Sequence, residues 1–506
     1  MKRLLVRKKS PSVAILFLGL AAALSIPARA QIGRRFPSEK KIVPDPVTGL
    51  PLTFLTSTPA GDQKIYQTHH QWTADGKWLV FRSNRVRGQA MAVNEDTGDI
   101  VQVTEGGYAG MLCLADNTMN LYFARTPGMI LADVRGAPAT GGAMVPIGSA
   151  ADPGNQGPTP PNALPNSGAR GRGQGSPAGE GVRRPAAASQ IVRVDLAKVF
   201  ADSAAGKMQA ASEYEQVCGT IPAEFGNVGD VALDPTEEFV YFRVSNKEMA
   251  GKHLPADTKA EQSFGARNMG AGPTGLASMN LKTGEIKFIV AVPFQIGHVQ
   301  TNPWVPGEII FCWETGGKAP QRTWIVRSDG TGLRPLYPEA SYEWITHEAV
   351  VTKDEVAIAI LAHRSVARLP ADDPWGTSGT GEHPTGLGIV NLRTREMRLI
   401  GQVPVGNPGR SVWHVNGSPD GRWAVADDFQ YRLWLIDRTN GEMSLLSDNG
   451  HKTAAQDHQH PTFSADSTRI QIQSAMLSED GRSLNICIVP VPKSWLERTY
   501  TDKKLK

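Results

Sequence analysis

The feature that most restricts how this chain can fold is a recurring unit of four short apolar segments, punctuated by Asp-Gly and Thr-Gly turns. The clearest copy is Gln67–Thr104. There Trp72-Thr73-Ala74-Asp75-Gly76-Lys77-Trp78 leads into Leu79-Val80-Phe81, and Asp96-Thr97-Gly98 separates Ala90–Val93 from Ile100–Thr104. Apolar runs flanking such a turn pair as hairpins, because the turn backbone needs a positive φ that glycine supplies without strain. Related units recur roughly every 55–65 residues. They start near Met111 and Val231, then at His298 and His347, with a sixth around Ser418-Pro419-Asp420-Gly421 and a seventh at His460-Pro461. Four strands per unit at a fixed period is the pattern of propeller blades. The expected fold is therefore all-β, a seven-bladed β-propeller.

The seventh unit lacks a last strand. Near the other end of the chain, Asp45-Pro46-Val47-Thr48-Gly49 followed by Leu52–Leu55 has the same form as the blade ends. Pairing of N- and C-terminal strands is expected to close the ring and remove the free sheet edges that would otherwise aggregate.

Two stretches stand outside the repeat. Residues 1–30 carry a basic start (Lys2, Arg3, Arg7, Lys8, Lys9), the apolar run Ser12–Leu24 and a small-x-small site at Ala28-Arg29-Ala30. They are read as a signal peptide cleaved near Ala30/Gln31, which places the protein in the periplasm or outside the cell and leaves 31–506 as a single propeller with no membrane span. Residues from about 135 to 188 are rich in Gly, Pro, Ala and Ser and almost free of branched or aromatic side chains. Too little surface can be buried there to offset ordering entropy, so a disordered insertion in the second blade is expected. Its Arg170-Gly171-Arg172-Gly173 is read as linker rather than as an RNA-binding tract.

Charge excludes a class of partner. The whole chain has a formal net charge of +4, but the leader holds six Lys/Arg and no acid, so the remainder carries −2. No sustained basic stripe is present, and nucleic acid is not an expected partner. Cys113, Cys218, Cys312 and Cys487 are widely spaced without a C-x-x-C pair and are read as buried free thiols. A monomer or weak oligomer is expected.

Of eleven histidines, seven fall near the start of a blade's first strand: His69, His70, His298, His347, His414, His458 and His460. First strands line the central channel of a propeller, so equivalent positions in different blades converge in space. In His458-Gln459-His460, strand alternation would put both imidazoles on one face, about 6–7 Å apart, which suits two ligands of one divalent ion. His347 is in register to join them, with His414 and His70 as further candidates. The carboxylate pair Asp427-Asp428 follows a blade strand, where solvation in a turn is the expected fate.

In order along the chain, Asp45-Pro46-Val47-Thr48-Gly49, Asp75-Gly76-Lys77, Ile296-Gly297-His298, Arg322-x-Trp324, Thr346-His347-Glu348 and His458-x-His460-Pro461 resemble the oligogalacturonate lyase family. That resemblance covers nearly all of the chain outside the leader and the insertion. It implies a seven-bladed propeller that cleaves short uronides by β-elimination with manganese. It further implies His298 as the base, His347, His458 and His460 as metal ligands, and Arg322 as a contact to a substrate carboxylate. The family has a glutamine ligand three residues before the H-x-H pair, where this chain has Ala455; the adjacent Gln456 or Asp457 is the substitute to consider. Gln459 stands where the family has proline, and His363 and His383 flank an unusual stretch in blade five. The alternatives to a uronide lyase are a propeller lyase or glycosidase of different sugar specificity, and a non-catalytic TolB-like periplasmic scaffold. A propeller peptidase is excluded, since no G-x-S-x-G elbow or hydrolase domain follows.

Overall fold

The computed structural model describes residues 31–131, 144–146, 187–263, 269–314, 319–340, 343–363, 385–403, 411–448 and 458–499. They form seven antiparallel sheets arranged as the blades of a β-propeller. The innermost strands, blade 1 to blade 7, are Asp62–Lys64, Ala109–Leu114, Val231–Leu233, Ile296–Thr301, Glu343–Thr352, Val412–Gly417 and Thr462–Phe463.

Each pair of adjacent blades is glued by its own apolar cluster. Val80, Ala92, Leu112 and Phe123 pack between blades 1 and 2, and Trp423, Leu435, Ile472 and Phe54 between blades 6 and 7. Leu79, Phe81, Ile486 and Ile488 fill the space between blades 7 and 1. Sheets covered on both faces bury both sets of alternating side chains, which is why the strands read as near-continuous apolar runs.

The Asp repeats are local turn locks. Asp75 Oδ1 accepts from Thr73 Oγ1 at 2.6 Å and from the Lys77 N–H at 3.1 Å, while Gly76 takes φ +69°. Ser418, Asp420 and Gly421 repeat this in blade 6, and Ser464 and Asp466 in blade 7. The carboxylate mimics the backbone turn and ties the inner strand to the next one.

The ring closes as the sequence predicts. Pro51–Phe54 pairs with Asn485–Pro490, Thr53 opposite Ile488 and Phe54 opposite Cys487, and Lys41–Pro44 adds a further outer strand. Two local expectations are corrected. The inner strand of blade 1 is Asp62–Lys64 rather than the segment starting at Gln67, and Trp72 rejoins the sheet only through a bridge to Leu79. Inside the expected insertion, Met144–Pro146 pairs with Met129–Leu131; the rest of it, apart from Ala187 and Ala188, lies outside the described residues, as do the leader and Gln456. Blade 2 also carries an α-helix, Leu196–Ala205, capped by the Asp195 carboxylate on the Lys198 N–H and ended by Gly206 at φ +67°. Its Leu196, Val199 and Phe200 are buried, Phe200 stacking on Trp78 at 4.0 Å between ring centres. All four cysteines are free, and Cys113, Cys312 and Cys487 are buried.

Candidate functional site

Bulges in the inner strands aim the site. Register shifts fall between Gly297 and Gln300, between Ile345 and Glu348, and between Val412 and Val415. Each inserts extra residues opposite the partner strand and re-aims side chains. His298, His347 and His414 occupy these positions. His298 has φ +51°, in the left-handed region that branched and bulky residues avoid, and His460 of blade 7 has φ +49°. Such backbone costs about 1–3 kcal/mol per residue and persists where surrounding contacts hold it.

The result is a packed imidazole group. Ring centres of His347 and His414 are 4.3 Å apart, His414 and His460 3.8 Å, His414 and His458 5.4 Å, and His298 and His347 5.6 Å. His458 and His460 are 6.4 Å apart, within the expected spacing, but not for the expected reason. Their segment precedes the strand Thr462–Phe463 and turns at His460, so the rings meet at 80° instead of lying on one strand face. His458 is braced by Trp413 at 5.5 Å and Tyr431 at 5.0 Å.

Burial drives the His347, His414 and His460 pKa values well below the usual imidazole range, and mutual repulsion among the imidazoles pushes in the same direction. These rings are neutral at pH 7 and offer lone pairs. His414 Nδ1 lies 3.0 Å from Asp427 Oδ2, which leaves its Nε2 as the acceptor, while His460 Nδ1 lies 2.9 Å from the His458 carbonyl oxygen and 3.1 Å from the Gln473 amide nitrogen. His347 Nδ1 is sealed from solvent without a hydrogen-bond partner among the described residues. An orphaned buried nitrogen among neutral imidazoles is the donor set a divalent transition ion requires.

Beside this group lies a charged one. His298 Nδ1 is 2.8 Å from Glu348 Oε1, and its Nε2 is 3.3 Å from Glu314 Oε2. Arg322, 2 % exposed, donates through Nε to Glu348 Oε2 at 3.2 Å, while its Nη1 is buried with no partner among the described residues. Burial disfavours protonation of His298, but Glu348 and then Glu314 outweigh it against the opposing Arg322, and the net shift is upward. Gly297 lets this pairing form: a Cβ there would stand 2.8 Å from Glu314 Cβ. His298, Cys312 and Glu314 also present atoms within metal-ligand reach of one another. Burial holds the Cys312 thiol protonated and Arg322 adds positive charge, so this second group is ill-suited to a cation.

The chain between Lys64 and Trp72 crosses the channel mouth. His69 Nε2 is 2.8 Å from the Val231 carbonyl oxygen in blade 3, and Asn416 of blade 6 donates to the Gln67 carbonyl at 3.1 Å. This excursion lays Tyr66 among the histidines, 5.0 Å from His298, 5.3 Å from His460 and 6.2 Å from His414 between ring centres, its hydroxyl 3.5 Å from His298 Nε2. Tyr66 carries no sequence signal beyond sitting just before the His69-His70 pair. His70 is turned away, half exposed and 3.0 Å from Asp116. His69 is spent on its backbone contact, with burial lowering its pKa to about 4. Asp427 and Asp428, expected in a solvated turn, are instead 1 % and 2 % exposed within the strand Trp423–Asp428. Asp428 accepts from Arg432 and Trp434, and Asp427 from the site itself. Lys64, buried, donates to Thr462 Oγ1 at 2.9 Å.

No protein-family model matches the chain, and no curated protein matches it. Among solved structures it is similar to an oligogalacturonate lyase in complex with manganese, at 17 % identity and TM-score 0.61, over 92 % of this chain and 100 % of that one. It is similar to an oligogalacturonate lyase from Vibrio parahaemolyticus at 16 % identity, with the same TM-score and coverage. At such identity the likeness is one of fold.

Proposed function

We propose that this protein is a metal-dependent lyase that cleaves uronic-acid-containing oligosaccharides by β-elimination, working in the periplasm or outside the cell. The observation that carries the reading is the juxtaposition of a neutral imidazole cluster with a histidine gripped by carboxylates. His347, His458 and His460 are the residues that would hold the metal, with manganese favoured by the manganese-bound oligogalacturonate lyase of similar fold. The ion would neutralise the uronate carboxylate and so make the α-proton acidic. Arg322, through its unpartnered Nη1, supplies a second contact to that carboxylate.

His298 takes the proton at C5. Donation of Nδ1–H to Glu348 fixes the tautomer and makes Nε2, beside Glu314 and Tyr66, the accepting atom, and the nearby carboxylates make it a stronger base than a free imidazole. Tyr66, its phenol kept neutral by burial, stands beside Nε2 and donates to the departing glycosidic oxygen. The proton count balances: one leaves carbon for His298 and one reaches oxygen from Tyr66, and proton return between the two resets the site.

Metal analysis of purified protein, combined with ultraviolet absorbance of 4,5-unsaturated products from digalacturonate, tests this reading. Bound transition metal and rising absorbance are expected. No metal and no absorbance with any uronide would overturn it, and metal with digalacturonate inert would move the search to other uronides. His298→Ala is expected to abolish turnover while metal content stays intact.

A further inference from the structure

His414 is held by Asp427 through Nδ1, which leaves Nε2 as its acceptor nitrogen. We infer that His414 is a metal-binding residue through Nε2, and that Asp427 is the positioning residue that sets it and the His458-Gln459-His460 segment together. This deepens the lyase reading and rests on its metal site.

Asp427 is 1 % exposed and His414 2 %. The carboxylate accepts from the His414 backbone N–H at 2.7 Å and from its ring Nδ1–H at 3.0 Å. It also accepts from the backbone N–H groups of Gln459, at 2.9 Å, and His460, at 3.2 Å. One buried carboxylate thus fixes a ring in blade 6 and the backbone that carries the histidine pair of blade 7. Four N–H donors occupy its lone pairs, so Asp427 acts behind the ligand rather than on the ion, although its oxygens lie within 4.8 Å of nitrogens of His414 and His458. A carboxylate on the far nitrogen fixes the tautomer of a ligating histidine and strengthens it as a donor. The His414 ring centre lies nearest those of His460 and His347, and His347 holds the orphaned Nδ1. The protein donor that Ala455 cannot provide is thereby supplied from another blade.

The test is calorimetric titration of metal-free full-length protein with Mn²⁺ alone, followed by visible absorption of the Co²⁺-loaded form. His414→Ala and His414→Gln are expected to weaken Mn²⁺ at least about 10-fold, and Asp427→Asn by about 10–100-fold with a displaced Co²⁺ spectrum. Should the alanine variant fail to fold, the glutamine and asparagine variants carry the test. Wild-type Mn²⁺ affinity in His414→Gln, or an unmoved Co²⁺ spectrum in Asp427→Asn, would overturn the inference. If wild-type protein binds Mn²⁺ but turns over no uronide, the lyase reading falls while this one stands. Absence of Mn²⁺ binding in the wild type would overturn both.

Discussion

Tyr66→Phe isolates the proton donor from the packing. The hydroxyl lies 3.5 Å from His298 Nε2, at the outer edge of hydrogen bonding, so its removal costs no more than about 1 kcal/mol of stability. The ring keeps its place among His298, His347, His414 and His460. A donor that protonates the leaving oxygen is worth about 10²–10⁴ in rate, or about 3–5 kcal/mol of barrier. The two magnitudes separate cleanly: a nearly unchanged melting curve with kcat down at least about 100-fold. The assay is product absorbance with digalacturonate and, in parallel, with an aryl uronide whose phenolate departs unprotonated. The deficit should shrink with the aryl substrate. A Tyr66→Phe enzyme within about threefold of wild type, or one equally impaired on both substrates, would refute the assignment.

Only neutral His298 can accept a proton, and its pKa is raised, so kcat/KM should climb with pH through a limb above about pH 6.5. Glu348→Gln should move that limb down by about 1–3 units, as expected for loss of an adjacent opposite charge; an unmoved limb would show that another group sets it. Phe54, fully buried in the closing strand, should cost about 3–5 kcal/mol of urea stability when changed to alanine, and a loss below about 1 kcal/mol would contradict its role in the seam. Chelation should lower Tm, since a metal at about 100 times its Kd contributes about 2.7 kcal/mol; identical calorimetric scans with and without chelator would show that no ion is seated.

The ring was legible in the sequence because its signals are local. Asp75, Asp420 and Asp466 each lock their own turn, and Leu52–Leu55 announces itself by the Thr-Gly turn before it. The convergence of His298, His347, His414, His458 and His460 follows from the ring geometry alone. What was not legible depends on contacts between blades. Tyr66 reaches the site because Gln67 and His69 are anchored to blades 6 and 3, which no local pattern encodes. Asp427 reads as a turn residue until blade 7 brings the Gln459 and His460 N–H groups to it. The spacing within the H-x-H pair was anticipated by strand alternation, whereas the backbone attains it through the positive φ of His460.

The closing strand joins residues far apart along the chain, Phe54 opposite Cys487. Few native contacts span more of the chain, so this seam is expected to zip late in folding. The histidine cluster lies beside the neighbouring join between blades 7 and 1. Lys64 reaches from blade 1 to Thr462 and, through its backbone N–H, to Gln473 of blade 7, whose amide meets the His458 carbonyl and the His460 ring. An ion seated on His460 would therefore act as a latch on the ring, and an unlatched molecule is the form that proteases and chaperones would meet.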